Sequence, residues 1–206
     1  MAKLSTDLNQ FFFDQDRGEM VTLADLLEFS GERAFGVLFV LTSFPSALPL
    51  PAPGYSTPFG LLIFLLAGQM ILGRDTPWFP SKWLQWSVPL AMTQKVLKLG
   101  LPWLSKLETI TRPRFTFLCT HATAKVVIGC ALALMGISMM ITIPGTNTLP
   151  AMGVFVTGFS LIEDDGAVTL AGLTLCLMGF ILSTGIIIAL VFFGSNFVDV
   201  IKGWLG

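Results

Sequence analysis

Pro49-Leu50-Pro51-Ala52-Pro53-Gly54 interrupts a charge-free apolar stretch that runs from Ala34 to Gly73, and Pro144-Gly145-Thr146-Asn147 interrupts a second that runs from Val126 to Ile162. Each stretch is too long for one membrane helix, which needs roughly 20 apolar residues. Pro removes a backbone donor and Gly favours the turn that ends a helix, so Pro-Gly stops both. Each stretch therefore reads as two arms folded back at a joint. Two such hairpins at matching places predict an internal repeat. Repeats built from broken apolar segments recur in transporters, where the break lines a polar site.

The surrounding composition fits a membrane protein. Of the 206 residues only 12% are charged and mean hydropathy is +0.77, against about 25% charge in a soluble domain. A third charge-free block, Gly166 to Val198, holds an apolar core from Ala167 to Phe193 and is the clearest single span. The net charge of −1 gives a nucleic-acid partner no electrostatic support. Asp7, Asp14, Asp16 and Glu19 near the start argue against a cleavable signal. Cys119, Cys130 and Cys176 are scattered in apolar contexts, which fits packing and neither a disulfide framework nor a zinc site.

The expected architecture is all-α, a single membrane domain over 1–206. Residues 1–30 form a tail and a short amphipathic helix, opened by a capping box at Thr22-Leu23-Ala24-Asp25. Repeat 1 covers 31–76 and repeat 2 covers 115–166, with the arm Phe115 to Ile143 long enough for a span. The other arms, Phe35–Leu48, Pro58–Leu72 and Leu149–Ile162, are short, so the hairpins are either tilted or re-entrant. Between the repeats, 77–114 is basic and rich in Trp, with Trp78, Trp83, Trp86 and Trp103 among Lys82, Lys95, Lys98 and Lys106. That mixture marks a cytoplasmic interfacial stretch, with one or two amphipathic helices from Pro89 to Ile110. The final helix covers 167–193, and 194–206 is a polar tail.

Topology has two solutions. If every arm crosses, both joints face outside and the hairpins point the same way. If the short arms are re-entrant, one hairpin could enter from each side. The basic centre favours the first.

Candidate residues gather at the joints and at the arm ends. At the joints an ion or a polar substrate could be held by Tyr55, Ser56 and Thr57, and by Thr146, Asn147 and Thr148. The same residue types also cap helices and make turns. Gln69 in an apolar arm either bonds a neighbouring helix or lines a polar path. Glu32, Arg33, Arg74, His121, Lys125, Asp164 and Asp165 stand at segment ends, where they serve as a charged gate or as anchors. His121 and Lys125 share a helix face, four residues apart. No hydrolase, metalloprotease or phosphate-loop signature occurs, so no enzyme, cofactor or metal is expected. Asp164-Asp165 on a magnesium ion is the weak exception.

The order of short motifs resembles the ExoD family of bacterial exopolysaccharide-synthesis membrane proteins. It comprises Gly31-Glu32-Arg33, Ser56-Thr57-Pro58-Phe59-Gly60, Gln69, Gly73-Arg74, Pro77-Trp78-Phe79-Pro80, Arg112-Pro113-Arg114, Pro144-Gly145-Thr146-Asn147-Thr148-Leu149-Pro150-Ala151 and Asp165-Gly166, and covers about residues 22–193. The acidic Glu163-Asp164-Asp165 departs from it, since a basic residue is expected beside the Asp-Gly. The resemblance implies a multi-pass protein of the bacterial cytoplasmic membrane that supports exopolysaccharide production. Together with the joints it predicts a small transporter-like protein moving an ion or a polar or lipid-linked intermediate. The alternatives are a non-transporting accessory of the synthesis or export machinery and a membrane enzyme on lipid-linked sugars. The expected partners are the bilayer, the exopolysaccharide machinery and a second copy, since one small bundle hardly shields a polar path.

Overall fold

The computed structural model describes residues 6, 9–14, 20–47, 56–85, 87–90, 94, 98, 102, 105, 106, 111, 114–141 and 147–205. The expected helical architecture holds. Helix α1 is Leu23–Ser30, α2 is Ala34–Ala47, α3 is Ser56–Ile71, α4 is Ser81–Leu84, α5 is Phe117–Thr120, α6 is Ala122–Met140, α7 is Thr148–Glu163 and α8 is Gly166–Leu205. An addition is a short antiparallel ribbon, with β1 (Met20–Thr22) paired to β2 (Ser87–Pro89), which ties the start of the chain to the central segment. Residues 48–55 and 142–146, and with them Tyr55 and Thr146, lie outside the described residues, as does most of Pro89 to Ile110.

The local signals explain the ends of these helices. At α1 the Asp25 carboxylate accepts from the Thr22 backbone N–H at 2.9 Å, and the Asp25 N–H donates to Thr22 Oγ1 at 3.2 Å, completing the expected capping box. Helix α3 stops where Gly73 takes a φ of +77°, a conformation that costs glycine nothing. Two expectations need correction. The arm from Phe115 is not one helix, because His121 is extended (ψ 134°) and separates α5 from α6. The last helix does not end at Phe193 but runs from Gly166 to Leu205, 40 residues in all. The helical backbone continues through Gly194-Ser195-Asn196 although the apolar run stops at Phe193.

The arms pack crosswise. Helix α2 packs on α7 and α3 on α6, far more extensively than either hairpin packs on itself, and α8 covers α7. Small residues permit the crossings. A Cβ on Gly36 would meet the Gly158 carbonyl at 2.8 Å, and one on Gly60 would meet the Gly136 carbonyl at 2.7 Å. Both crossings are antiparallel, since Gly36 lies by Ile162 and Phe39 by Gly158, while Gly60 lies by Met139 and Ile71 by Gly129. The crossings also share a register. Gly36 meets Gly158 and Ile162, and Gly129 meets Ala67 and Ile71. Positions 67 and 158, and 71 and 162, differ by the 91 residues that separate Pro53-Gly54 from Pro144-Gly145, while Gly36 and Gly129 differ by 93, so α2 and α6 are related with a further shift of two residues.

Between the four arms lies an apolar core of Phe35, Phe39, Ile63, Leu66, Met70, Ile128, Leu132, Met135, Met139 and Val154. Helix α6 and the stretch Gly166–Ala189 of α8 are long and apolar enough to cross a membrane, and α2, α3 and α7 are shorter apolar helices. Leu61, Leu65, Val127, Leu134, Leu177 and Ile181 are exposed on the outer faces. An apolar exterior around an apolar core supports association with a membrane.

Candidate functional site

The helix ends that flank the two joints lie together at one end of the bundle and the charges lie at the other. At the joint end the Ser46 and Ser56 hydroxyls stand 3.4 Å apart, bringing the two arms of the first hairpin together. The N-terminal part of α3 touches the C-terminal part of α6 at Gly60 and Met139, which brings the helix ends of the two hairpins together. Asn147 caps α7 with its backbone, its carbonyl accepting from Ala151 N–H at 3.0 Å, while its amide donates to the Met139 carbonyl at 3.4 Å. Thr148 is half-buried in the first turn of α7, and Thr57 holds the same place in α3. The described joint residues thus fasten helix ends.

Gln69 does not face another arm. Its amide donates to the Trp78 carbonyl at 3.1 Å and its carbonyl accepts from the Trp78 N–H at 2.6 Å. This two-point clasp shapes the turn after α3 and buries Phe79 against the core.

The opposite end carries an open pocket of about 480 Å³, lined at its polar wall by Arg33, Arg74, Asp75, Thr120, Lys125 and Asp164. Phe35, Gly36, Met70 and Leu161 form its apolar floor, and Cys119 is in the wall. The placement is a consequence of topology. Arg33 precedes α2, Arg74 and Asp75 come after α3, Lys125 is in the first turns of α6, and Asp164 comes after α7. The pocket lies where both hairpins begin and end. Of the expected gate residues it joins Arg33, Arg74, Lys125 and Asp164. His121 stays outside it, exposed at the N-cap of α6. Asp165 is buried and caps α8, accepting from Ala167 N–H at 2.9 Å and Val168 N–H at 3.4 Å. Glu32 sits in a 3₁₀ turn before α2.

Lys125 Nζ lies 3.3 Å from Asp75 Oδ1, an ion pair that ties the end of α3 to the start of α6. With the Asp75 side chain 87% exposed, the pair adds little stability. Arg74 has no carboxylate partner among the described residues, and its guanidinium carbon stands 5.9 Å from the Trp78 ring centre. Three cations and two carboxylates line the pocket, one positive charge in excess.

Behind this wall a hydroxyl chain locks α5, α7 and α8 together. Thr169 Oγ1 donates to Ser160 Oγ at 2.9 Å and lies 3.2 Å from Cys119 Sγ, and Ser160 Oγ donates to the Thr157 carbonyl at 2.7 Å. Burial pushes the Cys119 thiol above its ordinary range; the Thr169 contact opposes this, and Asp164 and Asp165 add to it. Cys119 is thus a neutral packing thiol at pH 7.

Sequence reasoning did not pick out Asp75, Cys119 or Thr120 as pocket residues. The signal for Asp75 is its place after Gly73-Arg74; nothing in sequence marks the other two. Among the described residues, no three His, Cys, Asp or Glu side chains group so as to hold a metal ion.

The comparisons with known proteins agree with one another. A family model described as "Exopolysaccharide synthesis, ExoD" matches residues 4–185. The chain is 47% identical over 205 residues to "Uncharacterized protein slr1875" of Synechocystis, covering 100% of this chain and 97% of that one. It is 31% identical over 159 residues to "Protein ExoD" of Rhizobium meliloti, covering 76% of this chain and 66% of that one. No solved structure matches.

Proposed function

Because the chain belongs to the ExoD family of exopolysaccharide-synthesis proteins, we propose that it serves exopolysaccharide production as a small multi-pass transporter-like protein of the bacterial cytoplasmic membrane. In this reading an ion or a polar or lipid-linked group enters at the charged end and passes between the hairpins toward the joints. The observation that carries it is the pocket at the meeting of all four arm ends, lined by charges from both hairpins over a floor of apolar core. The core closes the way to the joints, so passage requires α2/α7 and α3/α6 to part.

The two hairpins are, in this proposal, one repeat used twice in the same sense, related by a pseudo-two-fold axis along the bundle. The shared register of Gly36 on Gly158/Ile162 and Gly129 on Ala67/Ile71 supports it. Opposed hairpins find no support in the contact of Gly60 with Met139, which puts the start of α3 beside the end of α6. The short arms α2, α3 and α7 are re-entrant in this proposal, while α6 and α8, the two helices long and apolar enough, cross. Helices of 14 and 16 residues reach about 21–24 Å, short of the roughly 30 Å hydrocarbon. Gly166 touches Arg114 and Phe115 at the charged end, and Gly179 touches Pro150 at the joint end. Helix α8 then stays apolar to Phe193, so the first turns of α3 and α7 lie within the depth that α8 spans. There Ser56, Thr57, Asn147 and Thr148 form the inner end of the path, since backbone at that depth must face protein or water.

The accessory reading is favoured by one observation, the helix α8, which runs well beyond the bundle. One experiment separates the two. Cells lacking the protein are complemented with Arg33→Gln, Arg74→Gln or a truncation after Ala189, with insertion checked by blot. Transport through the pocket predicts loss of exopolysaccharide with the arginine variants and tolerance of the truncation. The reverse pattern removes the transport reading.

A further inference from the structure

We infer that the charged pocket is a site for a phosphate group, carried as a phosphomonoester, phosphodiester or diphosphate. The inference rests on the reading of this pocket as the entrance and specifies what enters. Three features point to that chemistry. Arg33, Arg74 and Lys125 come from three separate elements and converge on one space. A guanidinium presents a planar fork that matches phosphate oxygens two at a time. Arg74 holds that fork beside the pocket with no carboxylate partner among the described residues, positioned by the Trp78 ring and hence by the Gln69 clasp.

The pocket also has a built-in counterweight. Lys125 is engaged by Asp75 at 3.3 Å. An arriving phosphate competes with the Asp75 carboxylate for the same ammonium, so binding loosens the tie between α3 and α6. The floor is apolar, with Phe35, Met70 and Leu161 beneath the charges. A phosphate joined to an apolar or uncharged body therefore fits better than a bare ion. The volume of about 480 Å³ admits a group larger than one phosphate.

The test uses the full-length protein in phosphatidylcholine nanodiscs and radiolabelled inorganic diphosphate in equilibrium dialysis. Saturable binding is expected that chloride at equal ionic strength does not displace. Arg74→Gln weakens it about tenfold, the loss of one charge-assisted fork. Asp75→Asn tightens it about threefold, because Lys125 is released and the excess positive charge grows from one to two. Both side chains are exposed, so thermal stability serves as the folding control. Competition by phosphatidic acid in the nanodisc assigns the phosphate to a lipid headgroup; its absence assigns it to a soluble compound. No saturable binding, or binding indifferent to both substitutions, overturns the inference. If the wild type binds no diphosphate yet Arg74→Gln cells lose exopolysaccharide, the entrance stands and the phosphate assignment falls. If diphosphate binds as expected but Arg74→Gln cells make normal exopolysaccharide, the phosphate site stands and the proposed function falls.

Discussion

The two crossings of the bundle are built in one register but are tight at opposite ends. At the charged end α2 meets α7 through two glycines, Gly36 and Gly158, whereas the corresponding places on α6 and α3 hold Gly129 and Ala67. At the joint end the order reverses. There α3 meets α6 through Gly60 and Gly136, while Ala151, 91 residues from Gly60, and Ser43, 93 residues from Gly136, hold the corresponding places on α7 and α2. A shared register preserves which faces meet, and the choice of Gly, Ala or Ser sets how close the backbones come. The second difference lies in the connection that leaves each hairpin. The first ends in a surface turn clasped by Gln69, the second runs straight into α8 through buried Asp165 and Ser160. Equivalent backbone is thus stabilised by unlike partners.

The largest expected effect breaks the tight point of one crossing. Gly158→Ala puts a methyl 2.7 Å from Phe39 Cβ and 3.1 Å from the Gly36 carbonyl, which only backbone separation relieves, at about 3 kcal/mol. Gly129→Ala first meets the Ile71 side chain at Cγ1, at 2.7 Å, and the backbone only from the Ala67 carbonyl at 3.2 Å; a side-chain shift relieves part of this, and its cost is about 1 kcal/mol. Thermal unfolding of the two variants in the same detergent checks the order. Equal losses would mean that the two crossings are equally tight at the charged end, and the asymmetry would fall.

Positions 74 and 165 occupy the same place after the two hairpins but hold Arg and Asp. Asp165→Ala removes the cap from two N–H groups of α8 inside a buried site, a loss of about 1–2 kcal/mol. Arg74→Ala touches no cap and leaves stability within about 0.5 kcal/mol. Denaturation of both in detergent sharpens the contrast between an end that continues into a helix and one that does not. Similarly, Gln69→Ala opens the Trp78 clasp and is expected to cost about 1 kcal/mol. It also quickens proteolysis in the turn after α3, which limited digestion would show. A turn as resistant as in the wild type would show that the clasp is not what holds it.

The sequence carried the breaks because Pro and Gly act locally. Helix α2 ends before Pro49, α6 ends before Pro144, and the capping box of α1 stands where Thr22 and Asp25 place it. The charged pocket was half legible: Arg33, Arg74, Lys125 and Asp164 were marked by being the charges nearest to apolar arms, yet their convergence depends on the crosswise pairing, which no single hairpin encodes. The extra length of α8 was not legible, since hydropathy reports where an apolar run stops and the backbone hydrogen-bond ladder continues past that point. Nor was the ribbon of Met20–Thr22 with Ser87–Pro89. Two three-residue strands separated by more than sixty residues leave no periodicity to read.

The smallest effect has the opposite sign and tests the outer faces. Gly68 of α3 corresponds to Phe159 of α7, the one half-buried with open space where a Cβ would go, the other fully buried. On α7 that position is filled because it packs in the cluster of Val37, Val40 and Ile162, with α1 residues against it. On α3 no described element covers it. A glycine within a helix wastes backbone entropy, so Gly68→Ala is expected to stabilise by about 0.5–1 kcal/mol. A rise in the unfolding midpoint would agree with an outer face open to lipid alone. A fall would mean that something in the native assembly, such as the expected second copy, packs on that glycine. Repeating the measurement at tenfold lower protein in fixed detergent would separate the two, because a penalty that arises at a contact between copies disappears on dilution.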